Sequence, residues 1–174
     1  MVRDTDWANI MDVMFSAITT ADDYIYITTP YFIPNDEIIM ALQIASKSGL
    51  DVRLLIPDKS DSWMAKHATN SYLQRLFNAN IKVYRYTKGF IHAKTMVVDD
   101  VFSTIGTSNL DYRSFNINFE INAVFYNTKV SKELKAIYLD DLENATLIDP
   151  EAWGKRSNFE KTKEAYAKLW APLL

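Results

Sequence analysis

The chain contains two histidines, and one of them, His92, stands two residues before Lys94 in the stretch Phe90-Ile91-His92-Ala93-Lys94-Thr95-Met96-Val97-Val98-Asp99. The run otherwise reads as a buried strand. Strand side chains alternate faces, so His92, Lys94 and Met96 are expected on one face and Ala93, Thr95 and Val97 on the other. An imidazole and an ammonium side by side make little sense in an apolar core and good sense around an anion. Lys94 would hold a phosphate and lower the proton affinity of His92. Further on, Gly106 permits close backbone approach, and Thr107, Ser108 and Asn109 offer donors for anion oxygens; Ser108 reads equally well as a plain turn residue. A working imidazole needs a carboxylate to set its tautomer, and Asp99 and Glu120 are the candidates. Asp99 lies at the far end of its strand, roughly 23 Å of extended chain from His92, which argues against direct contact. Glu120 falls on a different predicted strand and can come alongside.

The elements that must position these groups follow from hydrophobic spacing. Trp7, Ile10, Met11, Met14, Phe15 and Ile18 recur at helical intervals behind Asp4-Thr5-Asp6, predicting a helix over 6–20. Tyr24 to Thr29 is a strand stopped by Pro30, and Tyr31 to Pro34 reads as an apolar loop. Asn35 caps a helix that runs to about Ser48, with Gly49 as its stop. Val52 to Ile56, a helix from Ser62 to about Asn78, and Ile81 to Tyr86 complete two strand–helix–strand units. That pattern predicts a largely parallel sheet covered by helices, with ligands beyond the strands' carboxyl ends. Residues 91–98 and 101–105 read as a hairpin turning at Asp99-Asp100. A turn or short helix over 110–116, a strand over 119–126, a helix over 129–144, an irregular stretch over 145–158 and a terminal helix to Trp170 follow. No linker divides residues 1–174, so a single domain is expected.

Composition narrows the function classes. The chain has 174 residues, 48% hydrophobic and 24% charged, with a net charge of −3, the profile of a globular domain that builds a core without staples. The negative balance argues against a broad nucleic-acid surface. There is no cysteine, which removes disulfides and thiolate metal sites and fits a reducing compartment. No apolar run approaches the ~20 residues of a membrane span, and no signal-peptide pattern opens the chain.

The spacing His92-x-Lys94-x4-Asp99-x6-Gly106-Thr107-x-Asn109 resembles the HKD motif of the phospholipase D superfamily. Wider blocks resemble bacterial cardiolipin synthases: Thr29-Pro30-Tyr31-Phe32-Ile33-Pro34, Lys59-Ser60-Asp61, Gly106 through Phe115, Asn118-Phe119-Glu120 and the terminal Pro172-Leu173-Leu174. The resemblance implies a phospholipase D-like α-β-α sandwich with a mixed, largely parallel sheet flanked by helices. It implies phosphatidyl transfer between two phosphatidylglycerol molecules through a phosphohistidine, giving cardiolipin and glycerol without metal or cofactor. By that likeness the catalytic set is His92, Lys94, Asp99 and Glu120. His92 is the acid–base group, Lys94 and Asn109 bind phosphate oxygens with help from Thr107 and Ser108, and Glu120 orients His92. Asp99 then reads as a structural holder of the hairpin end.

Synthases of this kind carry two HKD motifs and usually N-terminal membrane segments, whereas here there is one motif, and His67 has no lysine after it. The chain is therefore expected to be the C-terminal half of a longer enzyme at the cell membrane, soluble by itself. Its partners are an N-terminal HKD half or a homodimer mate, phosphatidylglycerol and the membrane surface. A homodimeric phosphodiesterase of the same superfamily, phospholipase D or nuclease, and an isolated half inactive by itself are the alternatives. The remaining conspicuous residues have plainer readings: Met11 and Met14 as core, His67 as structural, Tyr31 and Phe32 as an apolar plug, Lys82, Arg85 and Lys88 as solvated cations, and Trp153 and Trp170 as packing. Asp111 and Arg113 either pair locally or line a headgroup pocket.

Overall fold

The computed structural model describes residues 9–173. Its main sheet has seven strands in the order β8-β6-β5-β1-β3-β4-β9: β1 (Tyr24–Thr28), β3 (Asp51–Pro57), β4 (Lys82–Tyr86), β5 (Thr95–Val98), β6 (Phe102–Gly106), β8 (Asn122–Phe125) and β9 (Ala145–Leu147). β1, β3 and β4 are mutually parallel, as the two strand–helix–strand units require. β5, β6, β8 and β9 join antiparallel. The sheet is mixed, and its parallel part is confined to three strands. After β4 the chain passes to the far side of β1, where β5 and β6 form a hairpin, and the helix Thr128–Glu143 later carries it from β8 at one edge of the sheet to β9 at the other.

Alternation along the strands sorts the core into two layers. Ile25, Ile27, Val52, Leu54, Ile56, Val83, Met96 and Val98 point to one face, where α1 (Asn9–Thr19), α2 (Asp36–Lys47) and α3 (Trp63–Phe77) cover them. Tyr24, Tyr26, Leu55 and Val97 point to the other, under Tyr138 of α5 (Thr128–Glu143). Tyr26 stacks on Tyr138 with ring centroids 5.0 Å apart. Outside α3 lie α6 (Pro150–Gly154) and α7 (Asn158–Leu169), followed by a short terminal turn, Ala171–Leu173. The expected caps are in place: Asn35 accepts from Ile38 N–H at 3.4 Å and Ser62 from Ala65 N–H at 3.2 Å, and Gly49 takes φ +105°, a conformation suited to glycine. The predicted first-helix cap at Asp4-Thr5-Asp6 and Trp7 lie outside the described residues.

Four local expectations change. Residues 31–34 are not all loop: β2 (Phe32–Ile33) pairs in parallel with β7 (Leu110–Asp111). The strand predicted over 91–98 begins only at Thr95. Its neighbour β1 ends opposite that residue, at Thr28, and Pro30, with no N–H to give, turns the chain away. Residues 119–121 likewise precede β8 instead of belonging to it. The stretch 145–158 contains β9 and α6, because β4 leaves an edge that Ala145–Leu147 can pair with.

Asp99 lies past the far end of β5 from His92, with its carboxylate on the chain entering β1, so it is placed away from the His92–Lys94 pair. Its carboxylate accepts from the N–H groups of Asp22, Asp23 and Tyr24 at 2.7, 3.0 and 2.8 Å, pinning the start of β1 to the β5–β6 hairpin. Asp99 and Asp100 have φ +51° and +56°, the consecutive left-handed residues of a tight hairpin turn. Hydrogen bonds to charged groups contribute more than neutral ones, and alanine also tolerates left-handed backbone poorly. Asp99→Ala is therefore expected to cost about 2–4 kcal/mol in urea unfolding; a loss well below about 1 kcal/mol would contradict the pinning role.

Candidate active site

The site is assembled where four chain segments meet beyond the carboxyl ends of β1 and β3. β1 leads through Thr29 and Pro30 to Tyr31, and β3 leads through Asp58 to Asp61. The stretch 90–94 enters β5 from the same end, because β5 runs antiparallel to β1. The loop after β6 brings Thr107 to Asn109. Two bonds tie these segments together: Phe32 N–H donates to Thr69 Oγ1 of α3 at 3.1 Å, and Leu110 N–H to Thr29 Oγ1 at 3.4 Å. Gly106 is obligatory, since a Cβ there would run into the Ile121 carbonyl and the Asn122 side chain.

His92 and Lys94 meet here although they do not share a regular strand. Lys94 Nζ donates to the His92 carbonyl at 2.8 Å and lies 3.1 Å from His92 Nδ1. Lys94 is buried, only 8% exposed. An ammonium has only protons to give, so Nδ1 is the acceptor and a neutral His92 ring carries its proton on Nε2, which has no hydrogen-bond partner among the described residues. His92 itself is exposed, with the rings of Phe90 and Tyr31 beside it at 5.3 and 6.2 Å between centroids. Partial burial, and then the Lys94 charge, lower its proton affinity, while Asp61 opposes them. Burial also lowers the pKa of Lys94, against the charges of Glu120, Asp111 and Asp61.

The three carboxylates are held individually. Asp61 accepts from Tyr31 Oη at 2.5 Å; desolvation first, and then this bond, raise the Tyr31 pKa. Asp111 is buried and caps α4 (Tyr112–Asn116) through Ser114 N–H at 2.6 Å; burial raises its pKa, with its bonds to Ser114 and Asn109 opposing. Glu120 accepts from Thr107 Oγ1 and, at 3.1 Å, from Asn118 Nδ2. It stands nearer to Lys94 in electrostatic effect than to His92, and no hydrogen bond joins it to the imidazole. The carboxylate whose charge His92 feels is Asp61, which the sequence reading did not single out as a site residue. The signal was present in the block Lys59-Ser60-Asp61 and in its place just past a strand's carboxyl end.

The remaining candidates divide. Ser108 is fully buried, its N–H on Asn122 Oδ1 at 3.3 Å and its hydroxyl on the Asn109 carbonyl at 3.3 Å, so it shapes the turn. Thr107 is exposed but engaged by Glu120 and by Ile121 N–H at 2.9 Å. Asn109 Oδ1 is buried without a partner. Asn109 lines a cavity of about 270 Å³ together with Tyr31, Ser62, Asp111, Arg113 and Asn118. Arg113 does not pair with Asp111; its Nε donates to Asn118 Oδ1 at 3.1 Å. His67 is buried against Trp63, ring centroids 4.4 Å apart, with burial lowering its pKa, a structural position. Arg85 is no solvated cation: it reaches Asn70 at 2.8 Å and Asp58 at 3.5 Å and lies over the Trp153 ring.

With this geometry in hand, comparison with known proteins is decisive on one point. Residues 14–142 match the family described as cardiolipin synthase, PLD-like domain. The chain belongs to this family. It is 43% identical over 171 residues to a cardiolipin synthase from Geobacillus sp. (strain WCH70) and 44% identical over 171 residues to one from Halalkalibacterium halodurans, covering 98% of this chain and 34% of each relative. The chain thus spans about a third of the length of the curated relatives it matches. The fold is shared with Nuc from Salmonella typhimurium, a phospholipase D family member (TM-score 0.68, 24% identity, 79% of this chain and 90% of that one). It is also shared with phosphatidylserine synthase from Haemophilus influenzae (TM-score 0.71, 17% identity, 95% and 44%).

Removing the Lys94 charge should raise the His92 pKa. In an NMR titration of ring signals, Lys94→Met is expected to shift the His92 midpoint upward, short of full release because burial still acts, and to leave His67 in place. An unmoved His92 midpoint would mean that the Lys94 contact does not exist in solution.

Proposed function

We propose that this chain is one catalytic half of a phosphatidyltransferase that makes cardiolipin from two phosphatidylglycerol molecules. The observation that carries the reading is the His92–Lys94 contact, open on the Nε2 side and placed beyond the strand ends in a chain 43% identical to cardiolipin synthases over nearly its whole length. The chain holds one HKD motif, so the second histidine comes from another HKD half or from a second copy.

The steps balance as follows. One histidine nitrogen attacks the phosphorus of the donor lipid, forming a P–N bond and breaking the P–O bond to glycerol. The leaving glycerol oxygen takes a proton from the other histidine. That second histidine then removes the proton of an acceptor glycerol hydroxyl, which attacks phosphorus, forms the new P–O bond and frees the first histidine. His92 is assigned the second role. With Lys94 on Nδ1 the neutral ring holds its only proton on Nε2, so His92 becomes a proton donor only after taking a second proton at Nδ1, which requires that contact to open. A bound phosphate draws the Lys94 ammonium toward its oxygens and frees Nδ1 for a carboxylate; Asp61 and Glu120 are the groups available for orienting it. Asn109 and Thr107 assist at the phosphate, and Asp111 and Arg113 line the neighbouring cavity.

His92→Ala is expected to lower cardiolipin formation by about 10²–10⁴-fold when the chain is assembled with a second HKD half, with far-ultraviolet circular dichroism unchanged. Cardiolipin production at the unmutated rate would refute the assignment. The chain on its own is expected to release little or no glycerol from phosphatidylglycerol vesicles; robust turnover would show that two copies supply both histidines.

A further inference from the structure

Trp170, expected to pack, is 43% exposed, and it is not alone. Phe159, Tyr166, Leu169 and Leu173 are 69%, 50%, 78% and 63% exposed on the same helix and its terminal turn. At about 100° per residue, Phe159, Tyr166 and Trp170 lie within roughly 40° of one another. Glu164, Ala167 and Ala171, which face the body of the domain, are buried and sit about a third of a turn away. α7 therefore has a packed line and, beside it, an unpartnered aromatic stripe.

The charge around this stripe runs against the rest of the chain. Residues 155–174 contain five basic and two acidic side chains, within a chain of net charge −3. Both acids are neutralised locally: Glu164 by Arg156 at 2.6 Å and Glu160 by Lys163 at 2.7 Å. Lys163 also lies over the Phe159 ring, 4.3 Å from its centroid. Lys155 and Lys161 have no anionic partner among the described residues. Aromatic rings with a polar edge, mixed with lysines whose stems can lie along apolar surface, suit the headgroup layer of an anionic bilayer. Protein interfaces are depleted in lysine at their cores.

We propose that the outer face of α7 and its terminal turn is a docking surface for anionic lipid bilayer. Its placement serves the site. α7 packs on α3, which begins two residues after Asp61, and the terminal turn packs on α4, which begins three residues after Asn109. Trp63, 52% exposed, extends the aromatic surface at the α3 end, its ring tilted against that of His67. The face thus belongs to elements packed on both helices, α3 and α4, whose first turns supply cavity residues. The choice of phosphatidylglycerol as the probe lipid rests on the proposed function; the surface itself does not.

The test is co-sedimentation of the chain with vesicles of phosphatidylglycerol and phosphatidylcholine in equal parts, against phosphatidylcholine alone. Binding to the mixed vesicles is expected to be at least about 10-fold tighter, to weaken in high salt, and to fall about 10-fold in Phe159→Ser/Trp170→Ser and in Lys155→Glu/Lys161→Glu. Leu169→Gln/Leu173→Gln is the second apolar variant should the first unfold. Brominated lipid should quench fluorescence less in Trp170→Phe than in the parent chain. Equal binding by the parent chain and all folded variants overturns the proposal. So does absence of vesicle binding combined with self-association that the stripe variants abolish, which would make the face a protein contact. His92→Ala is expected to bind vesicles as the parent does, so loss of the catalytic assignment and loss of the docking surface are read separately.

Discussion

A lysine ammonium that is only 8% exposed, beside an imidazole, is the constraint around which the rest of the site is arranged. Taking a cation out of water is costly unless opposite charge and hydrogen bonds replace the solvent. Lys94 donates its hydrogen bonds to His92 and takes its compensating field from Glu120, Asp111 and Asp61. Each carboxylate arrives on a different segment: Asp61 past β3, Asp111 at the end of β7, Glu120 just before β8. None can come close unless β1, β3, β5 and β6 are in register. The active-site charge balance is thus a reading of the whole sheet.

The same balance suits phosphate chemistry. The carboxylates hold Lys94 in place without bonding its nitrogen directly, so the ammonium keeps its capacity to donate to an incoming anion. Tyr31 ties up Asp61, and Thr107 and Asn118 tie up Glu120, which stops either acid from collapsing onto the lysine. Partial burial, and then the Lys94 charge, keep His92 neutral to lower pH than an ordinary histidine, a state able to accept a proton. The proposed lipid substrate adds a geometric demand, that the reacting phosphate reach a protein site while its acyl chains remain in a bilayer. The exposed aromatic and basic face of α7, packed on α3, is the surface proposed to meet that demand.

Much of this was legible from residue types and spacing. The helices with their Asn35 and Ser62 caps, the strands up to β4, the hairpin turn at Asp99-Asp100 and the pairing of His92 with Lys94 follow from local periodicity and turn chemistry, and local rules act over a few residues. The hidden parts were non-local. Where β5 truly begins depends on where β1 stops beside it. The two-residue pair β2–β7 and the edge strand β9 are too short to carry an alternating pattern, and exist because a neighbouring edge was free. The exposure of Trp170 does not follow from composition, which does not say which side of a helix the rest of the chain covers.

By itself the sequence determined the class of fold, the HKD constellation and the separation of Asp99 from His92, since seven residues of extended chain cannot fold back on themselves. Only the tertiary structure decided which carboxylates serve the site. Asp61, Asp111 and Glu120 lie up to 59 positions apart, and electrostatics acts through space. It made Asp99 a clamp on the start of β1 and Ser108 a buried turn residue, and it set the His92–Lys94 contact in an irregular segment, because β1 ends at Thr28, opposite Thr95, and does not flank residues 91–94.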